Sequence, residues 1–320
     1  MTTFNLQSTE FLYAYTHGRE EKSLCALEQR AIFGEESDHL IISTKNIDPN
    51  RSPFIRSKLS ILFSGQSVQE ISEQVPQLEL GGQTFKVIFM KINDLSDEDK
   101  IEYAERQQIE REIGWNVNAD AKMKNPDILF GIVPFKGLWY FGIYQENENV
   151  WLHHVKKPQE YSTAISARLA RAVVNIAVPD PAGVSVIDPC CGIGTVLVEA
   201  LSMDIPIVGS DRNPLAVKGS RENIAHFHFD GTVKIKDIAD EEGHYDVAII
   251  DMPYNLYCRA TEEELFTIIK NARRIADRVV ILTIEDMDEM ISKAGFTIVD
   301  RCVANKGIKA LFSRQVVVCE

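Results

Sequence analysis

The sequence predicts an α/β protein whose C-terminal half is a mostly parallel, doubly wound sheet, preceded by a smaller α+β region. Three observations carry this. From residue 184 onward, short apolar runs alternate with stretches of helical periodicity, the pattern of strand–helix–strand crossovers. Four of those runs, VSVID, IPIVGSD, TVKIKD and YDVAIID, end at or beside an aspartate: Asp188, Asp211, Asp237 and Asp251. A carboxylate does nothing for a core, so these aspartates belong at a sheet edge rather than inside it, although each could simply cap the helix that follows. Finally, a chain of 320 residues is long enough for more than one core.

Taken in order, TEFLYAYT (9–16) reads as a strand. REEKSLCALEQRAIFG reads as an amphipathic helix with Leu24, Leu27, Ala31 and Ile32 on one stripe and Gly34 at its end. LIIST (40–44) is a second strand. SPFIRSKLSILFSG has no decided reading, although Arg51, Arg56 and Lys58 cluster around it. This order suits a ferredoxin-like α+β platform over residues 1–75. A second module over 76–150 follows: LELGGQTFKVIFMKI as strand or hairpin, a helix capped by Ser96 and running to about Gly114, then NPDILFGIVPF, GLWYFGIYQ and NVWLHHVK as strands rich in β-branched and aromatic residues.

HHVKKPQEYS (153–162) leads into a third region, 151–320, with a helix starting near Ser162. His153 and His154 have no partner at metal-ligand spacing and read as linker or surface residues, able with Lys156 and Lys157 to touch phosphate. In STAISARLARAVVNIA the core stripe is Ile165, Leu169, Ala172, Val173 and Ile176, which leaves Arg168 and Arg171 on a solvated face. Beyond Asp251, TEEELFTIIKNARRIA, RVVILTIE and DMDEMISKAGF continue the alternation. TIVDRCVAN and LFSRQVVVCE close the sheet as a hairpin.

The stretch that organises the chain is VSVIDPCCGIGTVLVEA (184–200), a buried strand that turns through two glycines into a helix. Gly192 and Gly194 allow the backbone to approach a bound molecule closely, at the sheet edge where open α/β folds hold ligands. A lone GxG also fits a plain tight turn, and Leu197 stands where a dinucleotide fingerprint needs its third glycine, which disfavours a nicotinamide oxidoreductase. Asp211 falls where an acidic residue takes ribose hydroxyls.

Composition narrows the rest. Lys plus Arg number 34 against 47 Asp plus Glu, a net charge of -13, so a nucleic-acid ligand would require the basic residues to be gathered on one face. No apolar run is long enough for a membrane span, and MTTFNLQSTE has neither a basic start nor an apolar core, so a soluble cytoplasmic protein is expected. The cysteines (Cys25, Cys190, Cys191, Cys258, Cys302, Cys319) form no C-x-x-C pair, so neither a zinc site nor a disulfide framework is expected. Cys190 and Cys191 read as small packing residues of the glycine turn.

DPCCGIGT followed by GSDRNP resembles the cofactor-binding motifs of class I, Rossmann-like S-adenosylmethionine-dependent methyltransferases. DMPY resembles the (D/N)-x-P-(Y/F) motif of those that methylate exocyclic base amines. SARLARAVVNIA ahead of DPCCGIGTVLVEA is similar to the THUMP-containing RNA methyltransferases, especially the group acting on N2 of guanine at position 10 of tRNA. The resemblance is specific over residues 150–255, while FKV, a charged helix and PDILFGIVPF resemble a degenerate THUMP module.

The resemblance implies a seven-stranded, mostly parallel sheet, S-adenosylmethionine as cofactor, and RNA, most directly tRNA, as partner. It places Asp188, Gly192 and Gly194 at the methionine end of the cofactor, with Cys190 and Thr195 in the same turn. Asp211, beside Arg212, would accept the ribose hydroxyls and Asp237 would lie near the adenine amine. Tyr161 and Ser162 occupy the segment ahead of the motif. Asp251, Pro253 and Tyr254 would be catalytic: the carboxylate and a main-chain carbonyl near Pro253 accept the amine hydrogens, and Tyr254 stacks on the base. Met252 departs from the usual DPPY at its least constrained position. A DNA adenine-N6 methyltransferase, a non-catalytic RNA-binding protein that retains the fold, and an N-terminal region without a nucleic-acid role are the competing expectations.

Overall fold

In the computed structural model, which describes residues 8–92, 100–161, 164–253, 260–305 and 313–320, the N-terminal strands make a single sheet. They are β1 (Phe11–Tyr15), β2 (Leu40–Ser43), β3 (Ile55–Gly65), β4 (Phe85–Phe89), β5 (Ile128–Phe135) and β6 (Leu138–Glu146), in the order β2-β1-β3-β6-β5-β4. This sheet draws strands from both sides of the boundary expected at residue 75. The undecided segment becomes β3, an 11-residue strand pairing with both β1 and β6. Its packing against β6 is close: a Cβ on Gly142 would fall 1.9 Å from the Ser60 carbonyl oxygen, so only glycine fits. Phe63, Phe85, Phe130 and Phe141 join Ile109 and Ile113 in one core, with the Phe130 and Phe141 rings stacked 5.1 Å apart.

The first helix, α1 (Lys22–Phe33), ends at Gly34, whose φ of 79° suits glycine and whose N–H closes the last turn on the Arg30 carbonyl. It groups with the second unit of the chain, as do residues 51–53. Two more helices, α2 (Val68–Gln74) and α3 (Tyr103–Asn116), pack within the first unit. Ser96, the expected cap of α3, lies outside the described residues. NVWLHHVK, expected to be a strand, is instead a 3-10 turn over Val150–His154; Asn149 at φ 54° turns the chain out of extended conformation just before it.

Beyond the turn at Val150–His154 the second unit continues with α4 (Ala167–Ala177) and then follows the predicted alternation. Its elements are β7 (Val186–Asp188), α5 (Thr195–Leu201), β8 (Ile207–Asp211), α6 (Pro214–His226), β9 (Thr232–Ile235), β10 (Tyr245–Asp251), α7 (Glu262–Ile275), β11 (Ala276–Thr283), α8 (Asp288–Lys293), β12 (Ile298–Asn305) and β13 (Ser313–Cys319). The sheet order is β12-β13-β11-β10-β7-β8-β9. β7 to β11 pair in parallel, whereas β13 runs antiparallel between β11 and β12, the doubly wound sheet with a terminal hairpin that the sequence predicts. Among the described residues no helix is long and apolar enough to cross a membrane.

Two expectations are overturned here. Arg171 does not face solvent: it is 1% exposed, and its guanidinium donates to Glu199 Oε2 (2.7 Å), Ser202 Oγ (2.8 Å) and the Arg51 carbonyl (3.1 Å). His154 is not a surface residue: its Nδ1 is 2.8 Å from Glu199 Oε1 and its ring meets Phe227 edge-on. The cause is tertiary. α4 is buried on nearly every side because α1 and α5 both pack on it, so a position off the apolar stripe is still interior. The polar line continues as Asn175 donates to Glu28 Oε1, and Ser52 to Glu28 Oε2.

Arg171→Met removes one partner of a buried pair and leaves Glu199 short of a donor. Urea denaturation followed by circular dichroism should show about 3–5 kcal/mol less unfolding free energy for this variant.

Candidate active site

β7 delivers Asp188 to the sheet edge, and the chain then turns through residues 189–194 into α5. Gly192 and Gly194 both lie in the left-handed region, at φ 52° and 79°. They do different things: a Cβ on Gly194 would fall 2.2 Å from Ser220 Oγ, whereas at Gly192 it would meet nothing within 4 Å. Gly194 lets helices α5 and α6 approach, while Gly192 leaves backbone open for a ligand.

Three of the four strand-end aspartates spend part of their acceptor capacity on backbone N–H groups of the turns. Asp188 Oδ1 accepts from the Cys190 N–H (3.1 Å), Asp211 accepts from the N–H groups of Gly192 (2.9 Å) and Asn213 (2.8 Å), and Asp237 Oδ1 caps Ala239 (2.9 Å). The capping explanation is therefore part of their role. It is not all of it, because a carboxylate has about four lone-pair sites and these groups also line one cavity of about 680 Å³.

That cavity is bounded by Tyr161, Asp188, Cys190, Gly192, Thr195, Asp211, Arg212, Asp237, Asp251 and Pro253 among others. Gly194 stands behind it as the cap of α5. Tyr254 and Ser162 lie outside the described residues. Sequence reasoning missed the groups that hold the turn in place. Asn223 of α6 donates from Nδ2 to the carbonyls of Gln159 (3.0 Å) and Ile193 (2.9 Å), and accepts from the Gln159 N–H (2.9 Å). Lys157 donates to Thr195 Oγ1 at 2.9 Å, and burial holds its ammonium below the usual lysine range. A lone Asn in a helix or a lysine in a linker gives no sequence signal for either contact.

Negative groups outnumber positive ones around the cavity. Asp188, Asp211, Asp237, Asp251 and Glu160 line the cavity against the Arg212 guanidinium. Burial pushes the Asp188 carboxyl well above its usual range, and the nearby Asp211 and Asp251 charges add to this. Burial likewise raises the Asp251 carboxyl to about 7, with the Arg314 guanidinium opposing. Asp251 Oδ1 has no hydrogen-bond partner among the described residues. A site so furnished favours a cation. Burial also pushes the Cys190 and Cys191 thiols up, consistent with packing rather than nucleophilic chemistry. No cluster of three or more His, Cys, Asp or Glu able to hold a metal occurs among the described residues.

Met252 is more constrained than expected. It is 3% exposed and packs with Ile250, Leu265 and Met287, and its N–H donates to the Leu282 carbonyl. The residue alternates inward beside Asp251, so the core, rather than the cavity alone, governs its identity.

Residues 155–288 match the UPF0020 family model, described as the RMKL-like methyltransferase domain. A curated relative, the tRNA (guanine(10)-N2)-dimethyltransferase of Methanothermobacter thermautotrophicus, is 32% identical over 112 residues, 34% of this chain. The chain spans about a third (33%) of that relative's length. Among solved structures, TrmN from Thermus thermophilus aligns over 97% of this chain and 99% of its own at 16% identity and a TM-score of 0.46. Magnesium protoporphyrin IX methyltransferase (ChlM) from Synechocystis PCC 6803 with bound SAM aligns over 53% of this chain and 89% of its own, at 17% identity and a TM-score of 0.41.

Because the folded carboxyl of Asp251 titrates near 7 and the unfolded one near an ordinary aspartate, the native state holds a proton in this window that the unfolded chain releases. Stability is lost as pH rises through it. Between about pH 5 and pH 8 the native protein should lose on the order of 1–3 kcal/mol more than Asp251→Asn, read from urea denaturation at both pH values.

Proposed function

We propose that the chain is an S-adenosylmethionine-dependent RNA methyltransferase acting on an exocyclic base amine, most directly N2 of guanine in tRNA. The observation that carries this is Asp251, a carboxylate raised to about 7, with an oxygen that has no hydrogen-bond partner among the described residues, opening on the same cavity as Asp188 and Asp211. The match to a methyltransferase domain and the partial likeness to a tRNA guanine-N2 enzyme support it.

The residues present suit the cofactor. Asp211 and Asp237 are acceptors for hydroxyl and amine donors, Gly192 leaves room for close backbone approach, and the excess of carboxylates suits a positively charged ligand. When bound, S-adenosylmethionine supplies a methyl group made electrophilic by a sulfonium. The protein's work is done on the amine. Its lone pair is delocalised into the base, and an ionised Asp251 that accepts one of its hydrogens favours the pyramidal, more nucleophilic nitrogen. A carboxylate titrating near 7 is also poised to take the amine's proton as positive charge develops on nitrogen. Pro253 adds no N–H that would compete for Asp251, and Tyr254 is assigned the stacking role. In this reading the six-stranded unit, with its resemblance to a THUMP module, holds the RNA.

The test is tritiated methyl transfer from S-adenosylmethionine to unmodified total tRNA, followed by nucleoside analysis. Label is expected as N2-methylguanosine, and Asp251→Ala should reduce it about 10²- to 10³-fold while leaving cofactor affinity nearly unchanged. Asp211→Ala should instead weaken cofactor binding by calorimetry. Label confined to DNA, or absent from tRNA despite measurable cofactor binding, would overturn the reading.

A further inference from the structure

The terminal hairpin reaches the acceptor carboxylate. Asp251 ends β10 opposite Leu282 of β11, and Leu282 in turn faces Val316 of β13. β13 runs antiparallel, so Arg314, two residues before Val316, lies further out along the edge on which Asp251 sits. Strand alternation puts Arg314, Val316 and Val318 on one face, and Val316 and Val318 are buried there. β10 and β13 are separated by a single strand, about 9–10 Å at the usual spacing, a distance an arginine side chain can cross. It does cross: Arg314 is 9% exposed, and its Nε stands 3.8 Å from Asp251 Oδ1.

We propose that Arg314 is a positioning residue for Asp251, holding the carboxylate ionised and oriented into the cavity, so that the β12–β13 hairpin takes part in the chemistry of the site. The proposal rests on the reading of Asp251 as the amine acceptor. Among the described residues, Asp188 from β7 is a neighbouring carboxylate whose own protonation the Asp251 charge favours, and Arg314 from β13 favours ionisation of Asp251. Arg314 is itself drawn below the usual arginine range by burial and pulled back up by Asp251, as two charges sharing one dry environment are. At 3.8 Å the contact is looser than a direct hydrogen bond, which suits an acceptor that must remain open to a substrate hydrogen.

The experiment titrates Asp251 directly, in the full chain without cofactor, by 13C NMR of protein labelled at aspartate Cγ, with Asp251→Asn to identify the resonance. In Arg314→Gln the midpoint should move up by about one pH unit or more, and in Arg314→Lys by less, because a shorter cation keeps part of the interaction. In the tRNA methylation assay the acidic limb of the kcat profile should move with it, while KM for tRNA stays within about twofold. A wild-type Asp251 midpoint in Arg314→Gln overturns the proposal. If Arg314→Gln does not fold, Arg314→Lys decides: a raised midpoint supports the proposal and an unchanged one overturns it. Failure of the reading itself looks different, since Asp251→Asn would then methylate tRNA as well as the native protein does.

Discussion

One buried carboxylate underlies the site. Glu199 is inaccessible to solvent, yet each of its oxygens is met, one by Arg171 and the other by His154. A charge so placed is tolerable only because both lone-pair faces are answered. The arrangement locks α5 to α4 and to the turn at Val150–His154. α5 begins in the glycine turn, so these contacts also brace the turn that lines the cavity. Through the Arg51 carbonyl, Asn175 and Glu28 the same polar line reaches α1, far along the chain from Asp251.

The cavity follows the opposite logic. Beneath it charges are matched, whereas within it carboxylates outnumber cations and two of them, Asp188 and Asp251, are pushed toward the protonated form. Such a surface is electrostatically suited to positive charge and to hydrogen-bond donors. Neighbouring regions thus follow different electrostatic rules: paired polar groups hold the scaffold, while the cavity gathers carboxylates in excess of cations.

Much of this was legible in the sequence, for identifiable reasons. Period-two apolar runs against helical periodicity gave the doubly wound sheet, and the aspartates at the strand ends marked its edge, because carboxylates have no place further in. What the sequence concealed depends on elements distant in the chain. Arg171 reads as solvated until α1 is known to cover its helix, and His154 reads as linker until Glu199 is found beneath it. Met252 looked free because a four-residue motif does not reveal which side of the sheet its second position faces. Arg314 carried no motif at all; its relation to Asp251 exists only once β13 is laid antiparallel beside β11.

The path of the chain has one more consequence. The second unit is assembled from residues 17–36, 51–53 and 149–320, with pieces of the first unit between them. In genetic terms neither unit is a cassette. A single crossover near codon 149 would join residues 149–320 to a foreign N-terminal half and leave them without α1, without Glu28 and without the Arg51 carbonyl to which Arg171 donates. Recombination can therefore trade such units between lineages only by several coordinated exchanges, which ties the inheritance of the two halves together.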